Sequence, residues 1–342
     1  MKAARTNGAG PDLGVRIGPL ALANPVLTAS GTFGYGDEYA HVVDLRALGG
    51  IVTKTVTVQP RAGNGPARVA ETAAGMLNSI GLENVGLERF VAEKLPRLAA
   101  LSATVIASIG GETPGELETL LRALGRERAI AAFEVNFSCP NVAAGGARYW
   151  ADPARLEKTL ASLRPLTPKP LIAKLSPDVT DIRDTARACE RGGADAITAV
   201  NTFVGLAIDL DRLAPGVPSD APPGGTARSR LGKATGGLSG PAVKPLALAR
   251  CWEAAGAVKI PVIGSGGIVS GRDALEFMAA GATAVQVGTA TFVEPGAAIR
   301  VLAEMRAWLA ARGFRSVSDV VGTFRGVPAQ EPAAAPARAG TR

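Results

Sequence analysis

Eight short runs of β-branched and aliphatic residues, each followed by a longer Ala/Leu/Glu/Arg-rich segment, constrain the fold of this 342-residue chain more than any other feature. The runs are PVLTAS (25–30), GIVTKT (50–55), ATVIASI (103–109), AFEVNFS (132–138), PLIAKLS (170–176), ADAITAVN (194–201), PVIGSGG (261–267) and TAVQVGT (283–289). Amphipathic segments predict helices at 37–48, 84–100, 113–127, 153–164, 180–192, 242–257, 272–280 and 296–311. Several open on a capping residue: Thr113 before Pro114, Asp152 before Pro153, and Thr180. Strands that are apolar throughout, rather than alternating, belong to parallel sheets covered by helices on both faces. Eight such units are the number that closes a (β/α)8 TIM barrel, an α/β fold that runs to about 250 residues or more as one domain.

Three regions fall outside the repeat. LGVRIGPLALAN (13–24) reads as a small N-terminal β-hairpin plugging the bottom of the barrel. The segment 203–238 is too long for a simple βα connection, so it predicts an inserted loop at the C-terminal face that is functional or partly disordered. The division that follows is a flexible arm at 1–12, a barrel domain at 13–325, and a Pro/Ala-rich tail at 326–342 expected to be disordered.

The formal net charge of +7 comes from 37 Lys and Arg against 30 Asp and Glu, scattered along the chain, and aromatic residues are only 4%. A nucleic-acid surface concentrates basic residues and interleaves aromatics. The excess therefore reads as solvated surface plus a few functional cations, better matched to an anionic small ligand. Cys139, Cys189 and Cys251 have no regular spacing, which argues against a disulfide framework or a zinc site and suits a reducing cytoplasm. MKAARTNGAGPDLG has no apolar core of the signal-peptide kind, and no apolar run approaches the ~18 residues of a membrane helix. A cytoplasmic protein without membrane contact is expected.

In such a barrel the active site gathers at the C-terminal ends of the strands. Those ends carry Ser30-Gly31, Lys54-Thr55, Ser108, Asn136 with Cys139, Lys174, Asn201-Thr202, Gly266-Gly267 and Gly288-Thr289. The glycines of the last two strands suit phosphate, because glycine lets backbone N–H groups approach the oxygens; ordinary tight turns are the alternative. Lys54 and Lys174 face one mouth, and a buried lysine needs an anion, a Schiff-base role or a route to solvent. Asn78, Asn136, Asn141 and Asn201 offer paired donors and acceptors that match the alternating C=O and N–H edge of a pyrimidine-like ring. Cys139 ends a strand and precedes Pro140, which cannot continue the ladder. A modest shift from its usual ~8.5 makes such a thiol a general base at neutral pH, whereas Cys189 and Cys251 sit inside helical patterns and read as structural. His41, on an early amphipathic segment, reads as surface or structural.

These residues resemble the dihydroorotate dehydrogenases, specifically the class 1 cytosolic type. The resemblance is carried by NPVLTASGTFGYGDEY (24–39), KTVTVQPRAGN (54–64), ETAAGMLNSIGLEN (71–84), VNFSCPN (135–141), AKLSPD (173–178), AVNTFVG (199–205), TGGLSGPAVKPLAL (235–248), VIGSGGI (262–268) and VQVGTA (285–290). It implies one FMN per chain and oxidation of dihydroorotate to orotate in pyrimidine synthesis, with Cys139 as base at C5, hydride passing from C6 to flavin N5, and Lys174 stabilising the reduced flavin. It further implies FMN contacts from Ser30, Lys54, Thr55, Ser108, Asn136, Lys174, Val200, Gly240, Gly266, Gly267, Gly288 and Thr289. Substrate contacts would come from Lys54, Asn78, Ser79, Ile80, Gly81, Leu82, Asn136, Asn141, Asn201 and Thr202. ASGTFGYGDEY with AGMLNSIGLEN looks most like class 1B, whose homodimer joins a second subunit carrying FAD and a [2Fe–2S] cluster in a heterotetramer and passes electrons to NAD+. Two departures stand out: Ser108 replaces an asparagine found in some relatives, and 210–233 is longer than the pattern implies. The rival readings are a fumarate-using class 1A-like enzyme, a flavin barrel acting on another pyrimidine, a Schiff-base aldolase-type barrel, and a non-enzymatic FMN subunit.

Overall fold

The chain winds strand by strand around a parallel sheet in the computed structural model, which describes residues 10–138, 150–210 and 228–326. The eight strands are β1 (Val26–Thr28), β2 (Ile51–Val52), β3 (Val105–Ile109), β4 (Ala132–Asn136), β5 (Leu171–Lys174), β6 (Ala196–Ala199), β7 (Val262–Ser265) and β8 (Ala284–Val287). Their order is β1-β8-β7-β6-β5-β4-β3-β2 with every pairing parallel. A parallel bridge between Leu27 and Gly50 closes the ring, helped by the Gly49 N–H donating to the Val26 carbonyl at 2.9 Å. Gly49 is required there, since a Cβ would stand 2.1 Å from the Asn24 carbonyl oxygen. Each strand lies within its predicted run, and all the runs but 103–109, which keeps its C-terminal end, lose two or three residues where the chain turns into the loops above the barrel.

Six of the predicted helices form close to their expected limits: Pro114–Leu124, Pro153–Leu163, Ile182–Arg191, Lys244–Ala257, Gly271–Ala279 and Ala297–Ala311. Thr113 and Asp152 cap as expected, Thr113 in a reciprocal capping box with Glu116. The cap of the 182–191 helix is Asp181 rather than Thr180, its carboxylate accepting the Arg183 N–H at 2.9 Å. The helix predicted at 37–48 does not form. Two 3-10 turns, Asp37–Tyr39 and Leu45–Ala47, stand in its place. The Asp44 side chain binds the Arg46 N–H and restarts the backbone locally, the competition that makes Asp a poor residue inside helices. The 84–100 segment is helical from Gly86 but widens to a π-type stretch over Phe90–Lys94 just ahead of Pro96.

The N-terminal hairpin pairs Val15–Ile17 with Leu20–Leu22. Its turn abuts Asp195 at the entrance of β6, where a Cβ on Gly18 would lie 3.0 Å from the Asp195 Cβ, so it covers the N-terminal end of the barrel. Asp12, just before it, bridges to Ser316. At the other end Val69–Thr72, Gly75–Asn78, Gly236–Ser239 and Phe203–Gly205 build a four-stranded antiparallel cover. Part of the long 203–238 connection is therefore regular sheet. Residues 211–227 of it, and both terminal segments 1–9 and 327–342, lie outside the described residues. No helix among the described residues is long and apolar enough to cross a membrane.

Candidate active site

The strand ends and the antiparallel cover enclose a cavity of about 420 Å3, within the range of small-molecule sites. Ser30, Lys54, Thr55, Asn136, Lys174, Val200, Asn201 and Thr202 line it from the strand ends and the loops after them. Asn78, Ile80, Gly81 and Leu82 line it from the cover hairpin and the turn that follows, and Gly240, Gly266, Gly267, Gly288 and Thr289 from the glycine loops. Residues drawn from distant parts of the sequence thus share one chamber.

Two candidates stand behind the wall instead of on it. Ser108 is fully buried, and its hydroxyl lies 2.9 Å from Thr55 Oγ1. Ser79 is equally buried, with Asn64 Nδ2 donating to its hydroxyl at 3.0 Å. Cys139 and Asn141 lie outside the described residues. His41 is exposed and belongs to a different surface.

The hydroxyl wall is ordered from within. Ser30 Oγ donates to the Thr53 carbonyl at 2.8 Å and approaches Thr55 Oγ1 at 3.3 Å. The Ser108 N–H in turn donates to Thr53 Oγ1 at 3.1 Å. Ser108 therefore acts on the cavity through Thr55, whose orientation it helps to fix.

The two lysines differ. Lys54 Nζ has no hydrogen-bond or ion-pair partner among the described residues, and burial pushes its pKa below the usual lysine value, with Glu83 opposing and Arg68 reinforcing the shift. Lys174 is 4% exposed and tied down: Nζ donates to Gln286 Oε1 at 3.0 Å and stands 3.4 Å from Glu134 Oε1. Lys54 is the cation poised for an incoming anion.

The asparagines are held by neighbours that leave part of each amide for the cavity. Asn78 Nδ2 donates to the Gly237 carbonyl at 3.1 Å across the cover sheet. Asn136 Oδ1 accepts from the Ser138 N–H at 3.1 Å and from its hydroxyl at 2.7 Å, while Asn201 Nδ2 donates to the same hydroxyl at 2.5 Å. Ser138 thus links two candidate ring-reading residues, a role its place in the sequence Ser-Cys-Pro did not reveal. Thr32, Ser239, Ser265 and Phe292 also line the cavity and carried no distinctive sequence signal.

On the glycine side, none of the backbone N–H groups of Gly266, Gly267, Gly288 and Thr289 is engaged by another described residue. Gly267 has φ +73°, and a Cβ there would come 2.7 Å from the Lys244 backbone nitrogen, so the loop can take this path only with glycine. Open N–H groups on a glycine turn are what an oxyanion or phosphate needs.

The dihydroorotate dehydrogenase family model matches residues 12–309. The chain belongs to the dihydroorotate dehydrogenase family. Among curated dihydroorotate dehydrogenases it is similar to proteins named dihydroorotate dehydrogenase B (NAD(+)), catalytic subunit. That of Trichlorobacter lovleyi is 50% identical over 316 residues, 92% of this chain and 99% of the relative. That of Geobacter sulfurreducens is 50% identical over 314 residues, 92% and 98% respectively. Among solved structures, the Eimeria tenella dihydroorotate dehydrogenase in complex with ferulenol superposes with a TM-score of 0.74 at 24% identity, covering 94% of this chain and 90% of that one. That likeness speaks for the barrel alone.

Proposed function

We propose that this chain oxidises (S)-dihydroorotate to orotate in pyrimidine biosynthesis, as the FMN-binding catalytic subunit of a class 1B enzyme. The observation that carries the reading is the shared chamber: Lys54, without a partner among the described residues, and Asn78, Asn136 and Asn201 meet the glycine-loop N–H groups that no described residue engages. The residues suit FMN on their own chemistry. Gly266, Gly267, Gly288 and Thr289 would hold the phosphate, and Ser30, Thr55, Asn136, Lys174, Val200 and Gly240 would line the remainder of the cofactor.

When bound, FMN supplies a two-electron acceptor for the hydride that leaves C6 of the substrate. Lys54 would hold the substrate carboxylate, since an anion there restores the favourable setting that burial removes. Asn78, Asn136 and Asn201 would read the amide and carbonyl edge of the ring, with Asn141 as a further contact. Cys139 would take the C5 proton, so that the C5–C6 double bond forms as one proton and one hydride depart. The relatives' names, with NAD(+) and catalytic subunit, support NAD+ as acceptor and a partner subunit; the assembly we propose is a homodimer that joins a separate FAD and [2Fe–2S] subunit in the cytoplasm.

Anaerobic addition of dihydroorotate to the FMN-loaded protein should bleach the flavin absorbance, and NAD+ with the electron-transfer subunit should restore it. A colourless protein that takes up no FMN, or a flavin that dihydroorotate leaves oxidised, overturns the reading. Restoration by fumarate alone would move the chain to the class 1A type.

A further inference from the structure

The strand core beneath the cavity is not wholly apolar. Glu134 on β4 is completely buried, and three polar side chains from three other strands meet around it. Its Oε2 accepts from Thr198 Oγ1 at 2.8 Å and from Gln286 Nε2 at 2.5 Å. Its Oε1 receives no hydrogen bond from a described residue and faces the Lys174 ammonium at 3.4 Å. Gln286 Oε1 accepts from the same ammonium at 3.0 Å.

The connectivity fixes orientation. An amide has one acceptor end and one donor end. The Glu134 carboxylate takes the donor end of Gln286, which leaves its carbonyl facing Lys174. With a neutral or apolar group at 134, the Gln286 amide could turn over and present N–H to an ammonium, an unfavourable meeting. Thr198 holds the carboxylate from a third strand. One Lys174 N–H goes to Gln286, and the ammonium, which lines the cavity, keeps donors for an occupant. An uncompensated ammonium this deep would be costly, and the buried carboxylate offsets that cost.

We infer that Glu134 is a positioning residue that, through its ion pair and through the Gln286 amide, holds the Lys174 ammonium aimed into the cavity. The inference rests on the reading of this chamber as a flavin site and adds to it a device inside the barrel. Glu134 reaches the chemistry only by way of Lys174.

The test is a double-mutant cycle on the FMN-loaded protein with Glu134→Gln, Lys174→Met and the double variant. It reads the midpoint potential of the bound flavin together with kcat and KM for dihydroorotate. Glu134→Gln should shift the potential and lower kcat about tenfold or more while KM moves less than about threefold, the pattern of an interaction that matters beyond ground-state binding. In the Lys174→Met background the same change should leave the potential in place and alter kcat less than about twofold, because residues acting in series are non-additive. An equal effect in both backgrounds, or no change of potential and kcat in the single variant, overturns the inference. If Glu134→Gln does not fold, the cycle runs with Thr198→Val, with the same criteria and smaller expected changes. A wild-type protein that binds FMN and is reduced by dihydroorotate, yet gives an additive cycle, defeats the inference alone. Failure of the wild type to do either defeats the functional reading and the inference with it.

Discussion

Asn201 and Asn136, from different strand ends of the barrel, share one hydroxyl: Asn201 Nδ2 donates to Ser138 Oγ at 2.5 Å, and that hydroxyl donates to Asn136 Oδ1 at 2.7 Å. The relay sets which face of each amide meets the cavity. Ser138→Ala removes it and leaves Asn136 Oδ1 only the backbone N–H of residue 138, while Nδ2 keeps its long contact to Thr55 Oγ1 at 3.5 Å. An amide that loses a buried partner costs about 1–3 kcal/mol, so KM for dihydroorotate should rise by roughly tenfold or more. FMN content should stay unchanged. Steady-state kinetics beside flavin stoichiometry check this, and an unaltered KM would show that the two asparagines need no common anchor.

Lys54 gives a pH prediction whose sign follows from burial. Its folded pKa lies below the usual 10.5 because desolvation disfavours the ammonium. The folded state therefore binds fewer protons than the unfolded chain between the lowered value and 10.5, and stability contributed by this group rises with pH through that window. Below the window the charged ammonium, buried and without a partner among the described residues, weighs against folding. Lys54→Met should accordingly raise the thermal midpoint of the ligand-free protein at neutral pH while abolishing orotate binding. In the wild type, orotate affinity should fall as pH climbs through the lowered lysine value, short of 10.5. Calorimetric titration of orotate across alkaline pH reads it directly.

The barrel was legible because its signal is repeated: apolar strands and capped helices recur, and a misjudged unit such as 37–48 does not disturb the rest. The chamber was legible for a related reason, since polar residues at the ends of otherwise apolar strands have few other uses. What escaped depended on side-chain partners. Ser108 and Thr55 both end strands, and nothing in the sequence says which one faces inward. Glu134 and Gln286 did leave a trace, a charged and an amide residue within the apolar runs AFEVN and AVQV. Their meeting across the barrel is a matter of tertiary register. The antiparallel cover was hidden because its strands come from two distant loops and pair only once the barrel has brought them together.

The position of Ser108 behind Thr55 separates two substitutions of similar size. Ser108→Ala takes from Thr55 Oγ1 a buried neighbour at 2.9 Å but removes nothing from the cavity wall. Its cost is that of one ordinary hydrogen bond, about 1 kcal/mol of stability, and the dissociation constant for FMN should change less than about threefold. Thr55→Val removes a hydroxyl that does line the cavity and also leaves the buried Ser108 without its partner. FMN binding should weaken roughly tenfold in that variant. Fluorescence titration of the apoproteins with FMN compares them, and equal losses would mean that Ser108 reaches the cofactor itself.

Gly267 supplies the last prediction, because there backbone path and ligand site coincide. Its φ of +73° is one that an L side chain adopts only under strain, and an added methyl would meet the Lys244 backbone nitrogen at 2.7 Å. Gly267→Ala must shift either the loop after β7 or the start of the 244–257 helix, and backbone atoms yield less readily than a side-chain tip. A destabilisation of about 1–3 kcal/mol follows from the strained conformation alone. The displaced N–H groups would no longer converge on a phosphate, so FMN affinity should fall far more than the affinity for riboflavin, which lacks one. Paired titrations with the two flavins make that distinction. A parallel loss for both would place the damage in the barrel rather than in the phosphate loop, and an unchanged FMN affinity would remove this loop from the cofactor site.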